Sequence, residues 1–162
     1  MIARMAWIAT VASIMILAAQ ASQAQTRKPT AKEVSAVRAC AAKNTDDAFE
    51  AERRCVFTLV ATPCTDTKAG ESNLGMADCY RVEQAIWDDL LNENFKALRD
   101  DLDDGQKGKL RDMQRAWIAY RDSTCAFYAD KIQGSVAIPL VAECSARETA
   151  RRALLLKAFG GL

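Results

Sequence analysis

Apolar residues recur at three- and four-residue steps through most of this chain, and no alternating stretch runs longer than a few residues. That pattern predicts helices and no sheet. Thr30 can cap a first helix with Glu33 as its reciprocal partner, running to about Lys43 with Val34, Val37 and Cys40 on one face. A second is expected from about Asp47 to Val60, carrying Phe49, Cys55, Val56, Leu59 and Val60 and stopped by Thr62-Pro63. Residues 63–75, with Pro63, Gly70, Ser72, Asn73 and Gly75, read as a loop.

A long amphipathic helix is expected over 75–102, its stripe traced by Met76, Cys79, Tyr80, Ile86, Trp87, Leu90, Leu91, Phe95, Leu98 and Leu102. At 1.5 Å per residue it is roughly 40 Å long and needs a partner of similar length. Asp103 or Asp104 can cap that partner, which reaches about Ile132 with Leu110, Met113, Trp117, Tyr120, Thr124 and Tyr128 at helical spacing. Gln133-Gly134 ends it, Ile138-Pro139 marks an irregular connection, and a last helix covers about Leu140 to Phe159. The predicted architecture is a small all-α bundle built on one long antiparallel hairpin.

Two charges interrupt the apolar stripes. Glu83 falls between Cys79 and Trp87, and Arg121 between Trp117 and Cys125, each at four-residue steps. Packed around the 103–104 turn, the two long helices would bring Glu83 and Arg121 together as a structural ion pair that fixes register.

The first residues change the picture from fold to address. Arg4 is the only charge before an apolar run, Met5 to Ala19, which ends in small residues. Residues 1–24 read as a signal peptide cleaved after Ala24, which places the protein in the periplasm or outside the cell. All six cysteines lie beyond it, and the chain has no histidine. In an exported protein such a set is a disulfide framework. Cys40, Cys55, Cys64, Cys79, Cys125 and Cys144 fall into intervals of 15, 15 and 19 residues, each bracketing one connection between elements. Six cysteines allow many pairings, and sequential pairing is the one expected. Residues 25–75 form an N-terminal helical hairpin and disulfide loop, and 76–162 a helical domain packed with it as one globular unit.

Charge excludes more than it suggests. Without Arg4 the acidic and basic side chains are equal in number, which argues against nucleic acid and membrane surfaces as partners. Acids cluster at Asp100, Asp101, Asp103 and Asp104, the tip between the two long helices. No phosphate-binding glycine loop, no nucleophile–histidine pair, no Cys-x-x-Cys and no metal-ligand spacing appears, so neither enzyme nor cofactor is expected.

One resemblance adds to this. Cys79-Tyr80-Arg81-Val82-Glu83, then Trp87-Asp88-Asp89-Leu90-Leu91-Asn92 with Phe95, then Gln114-Arg115-Ala116-Trp117-Ile118-Ala119-Tyr120-Arg121-Asp122 with Cys125, Gly134-Ser135, Cys144 and Glu148-Thr149-Ala150-Arg151 together resemble the LprI N-terminal domain family of small exported bacterial proteins. The likeness covers about 76–158. It implies a helical, disulfide-bonded envelope protein that binds a protein, with lysozyme as the partner, and so protects the cell wall. Unlike the lipid-anchored namesake, this chain has no cysteine at the cleavage junction, and Gln133 precedes Gly134 where the family commonly has a second glycine. Because lysozyme is strongly basic, Asp100, Asp101, Asp103 and Asp104 are the expected contact surface, with the loop Thr65 to Asn73 as a second candidate. The other reading is a non-enzymatic envelope scaffold or accessory protein with an unrelated protein or glycan partner.

Overall fold

The computed structural model describes residues 27–44 and 47–162, so the signal-peptide reading of 1–24 lies outside the described residues. Among them are six α-helices and no strand: α1 (Ala31–Lys43), α2 (Ala48–Cys55), α3 (Ala61–Thr65), α4 (Asn73–Asp100), α5 (Asp104–Ile132) and α6 (Ala137–Phe159). Thr30 and Glu33 close the reciprocal cap of α1. Asp103 and Gln106 do the same for α5, so that Asp103, and not Asp104, is the cap.

The helix expected over 47–60 stops at Cys55. Its start is as read, with Asp47 accepting from the Phe49 and Glu50 amides. At Phe57, however, the backbone turns left-handed, φ 69°, a conformation that a bulky side chain adopts only when its surroundings hold it there. The chain then re-enters helix at Ala61 and stays helical to Thr65, into the stretch from 63 expected to be loop. Pro63 is the third residue of α3, and Pro139 the third residue of α6, which begins three residues earlier than the pattern suggests. Neither proline breaks its helix, because the first amides of a helix have no internal acceptor to lose.

Between α3 and α4 the backbone closes on itself through a 3₁₀ turn, Lys68–Gly70. A side chain on Gly70 would run into the backbone of Thr65, and one on Gly75 into the carbonyl of Ala69. The candidate loop Thr65 to Asn73 is therefore folded tightly against α3 and α4 and is not a free protrusion.

The principal correction concerns which helix packs along α4. It is α6, whose buried Ala142, Ala146, Ala150 and Ala153 form a row at helical spacing. Small side chains let the two backbones approach closely, and Asn94 Nδ2 donates across the contact to the Ala153 carbonyl at 2.9 Å. Helix α5 follows α4 in the chain but lies on α6, and barely touches α4 beyond the connecting turn. Only Leu110 and Cys125 of its 29 residues are buried. The core joins Val37 and Ala41 of α1, Val56 and Val60, Val82, Ile86, Trp87 and Leu91 of α4, and Ala146, Ala150 and Leu156 of α6.

Three disulfides clamp this arrangement in sequential order. Cys40 bonds Cys55, Cys64 bonds Cys79, and Cys125 bonds Cys144, with Cα–Cα distances of 5.7, 5.6 and 5.5 Å. They tie α1 to α2, α3 to α4, and α5 to α6.

Candidate functional site

Glu83 and Arg121 are not paired. Helix α6 fills the space in which they were expected to meet, and each has another partner. Glu83 is fully buried, with Oε1 accepting from the Phe57 amide at 2.7 Å and the Trp87 indole at 2.9 Å, and Oε2 from the Ala61 amide at 2.8 Å. No cation joins it within ion-pair distance among the described residues. Burial pushes its carboxyl up, against the lowering effect of the indole and the two amides. It works as an internal clasp on the 56–61 turn, and a catalytic acid facing a substrate would need exposure that it lacks.

Arg121 hydrogen-bonds Asp122 at 2.8 Å and lies over the Trp117 ring, 5.0 Å from its centre. Arg152 of α6 also lies over that ring, at 5.6 Å, and its Nε donates to Gln114 Oε1 at 2.9 Å. Gln114 and Trp117 thus meet Arg152 of α6 and, with the Cys125–Cys144 bond, dock α5 on α6, whereas the contacts of Arg121 stay within α5. Arg152 is buried, with Nη2 lacking a hydrogen-bond partner, and burial pulls its pKa down.

The four acids expected to meet a partner do gather at the α4–α5 turn, but in different roles. Asp100 pairs with its neighbour Arg99 at 3.0 Å. Asp103 is committed to the α5 cap. Asp101 ends α4, and Asp104 stands fully in solvent with Lys107 at 3.8 Å. Beside the turn opens an apolar basin of about 400 Å³ walled by Leu98, Leu102, Leu110, Met113, Phe159 and Leu162. The pattern of the chain gave no sign of it, because residues from three helices and the chain end converge there.

A second feature escaped the sequence reading as well. Further along α6, toward its start, a groove of about 390 Å³ runs between α5 and α6. Tyr120 and Tyr128 stand on its α5 wall, and Glu143, Arg147, Glu148 and Arg151 on its α6 wall. Arg147 pairs with Glu143 at 2.6 Å and stacks on the Phe57 ring at 4.8 Å. Arg151 bonds both Glu52 and Glu148 at 2.8 Å. Phe57 in turn meets Tyr80 edge-on, with ring centres 5.1 Å apart. The left-handed turn that Glu83 clasps is therefore what places the aromatic ring beneath Arg147.

Among the described residues no cluster of His, Cys, Asp or Glu is placed to hold a metal, and no helix is long and apolar enough to cross a membrane. Fold and surface define an all-α, disulfide-clamped domain, of a kind that compartments outside the cytoplasm maintain. Within that class, the family model described as lysozyme inhibitor LprI matches residues 64–156, more than half of the chain, and the chain belongs to that family. No curated protein and no solved structure matches it.

Proposed function

We propose that this chain is an exported, non-enzymatic inhibitor that binds a lysozyme or a related protein and so protects the cell wall. The observation that carries the reading is membership of the lysozyme-inhibitor family across α4, α5 and most of α6. The leader read over 1–24 would deliver it to the periplasm or the medium, where its disulfides persist.

The contact surface fits the end of the bundle that carries the α4–α5 turn. A basic partner meets Asp100, Asp101, Asp103 and Asp104 on the rim, and an apolar side chain of that partner has the adjoining basin to enter. Arg99 and Lys107 temper the rim's charge, so affinity rests on the basin while the acids set orientation and the rate of encounter.

The test uses the oxidised protein purified after export. It should slow lysis of cell walls by lysozyme, with the effect weakened by salt and by Asp100→Lys combined with Asp101→Lys. No inhibition of any lysozyme class would remove the proposal.

A further inference from the structure

We infer that the α5–α6 groove is a binding site for a neutral oligosaccharide segment, separate from the surface proposed for a protein partner. Its shape is the first argument. A groove of about 390 Å³ falls within the range of small-molecule sites. Its α6 wall, from Leu140 to Arg151, extends about 16 Å along the helix, room for a short linear chain of rings.

Charge is the second argument, and it selects neutrality. Arg147 and Arg151 are each already held by carboxylates: Glu143 for the first, Glu52 and Glu148 for the second. On the groove wall Glu143 and Glu148 balance Arg147 and Arg151, and Glu52, outside the lining, pairs with both arginines as well, so an anionic ligand meets no net positive charge. A cationic ligand would have to displace an arginine from its partner. A hydroxyl-rich neutral ligand disrupts neither, because each guanidinium keeps N–H donors and each carboxylate keeps lone pairs beyond those in the pairs.

The walls supply the third argument. Tyr120 and Tyr128 are 54% and 40% exposed, two turns apart on α5, and both line the groove. A tyrosine presents an apolar ring with a polar tip, which matches a sugar's C–H face and its ring of hydroxyls. The opposite wall is held in place before any ligand arrives, since Arg147 is fixed by Glu143 and by the Phe57 ring. Preorganisation of this kind lowers the ordering cost of binding.

The experiment is an amide NMR titration of the oxidised protein with neutral trimers (chitotriose, cellotriose and maltotriose), with de-N-acetylated chitotriose as the cationic counterpart and trigalacturonate as the anionic one. At least one neutral trimer should shift the amides lining the groove, and bind more tightly than either charged trimer. Tyr120→Ala and Tyr128→Ala should each weaken it by about tenfold. Tyr120→Phe should retain most of the affinity, and Phe127→Ala, on an exposed neighbour outside the groove, should leave it unchanged. Absence of shifts with every neutral trimer to about 10 mM overturns the inference, as do a preference for a charged trimer and shifts indifferent to both alanine variants. Groove amides that respond to added lysozyme and to no sugar would make this face a protein interface and overturn it too. Lysis inhibition is measured separately, so loss of sugar binding with inhibition intact tells the two proposals apart.

Discussion

Glu83 reaches from α4 to the Phe57 amide, 2.7 Å away, and so holds one of the two non-glycine residues at positive φ among the described ones, the other being Gln133 at the end of α5. The clasp carries its own pH signature. Its folded pKa is raised by burial above the ordinary value near 4.5, so the folded state binds more protons than the unfolded one just above that value. Glu83 therefore contributes most to stability below about pH 4.5, and that contribution falls as pH rises through the higher folded pKa. Glu83→Gln should remove this slope when urea midpoints are compared between pH 4 and pH 8. Glu83→Ala, which strands two amides and an indole N–H, should cost more than about 3 kcal/mol.

The sequence makes the helical periods and the caps at Thr30 and Asp103 legible, because those signals are local. It marks Glu83 as an anomaly but not as a clasp, since backbone amides are offered by every residue and leave no trace in side-chain pattern. It points to α5 as the partner of α4 on the ground of matching length. The alanine row of α6 decides otherwise, and alanines at 142, 146, 150 and 153 register weakly in any hydrophobic count. The acid turn is readable because its residues are adjacent in the chain. The basin and the groove are not, because their walls come from separate elements.

Helix α5 depends on its disulfide more than its length suggests. With only Leu110 and Cys125 buried, its distal half is held to α6 by Cys125–Cys144 and the Trp117 stack. Replacing Cys125 and Cys144 by serine should cost about 3 kcal/mol. Hydrogen exchange should show protection lost over 115–132 first, with α4 and the core of α6 retaining theirs. Uniform loss across the bundle would contradict this order.

Glu33 is the opposite case to Glu83. The Arg27 guanidinium at 2.6 Å, helped by the Thr30 amide and hydroxyl, lowers its carboxyl to about 2 despite partial burial. A lowered folded pKa gives stability that is present above about pH 4.5 and is lost as pH falls toward 2. Arg27 is 46% exposed, so the ion pair contributes less than about 1 kcal/mol. Titration of the Glu33 side chain by NMR should show the low midpoint. Glu33→Gln, which can still close the cap, should abolish the acid-limb slope at little cost in neutral stability.

Arg152 tests whether a buried charge here stabilises anything. Its Nη2 is unpartnered and no carboxylate compensates it, while its guanidinium lies over the Trp117 ring and its Nε donates to Gln114. Removing a buried charge and keeping the volume is close to neutral in other proteins. Arg152→Met should therefore change stability by less than about 1 kcal/mol in either direction. Arg152→Ala empties the same space beside Trp117 and should cost about 2 kcal/mol or more. If both variants lose stability equally, the guanidinium itself is holding α5 to α6, and the cation–π contacts with Trp117 outweigh the desolvation they require.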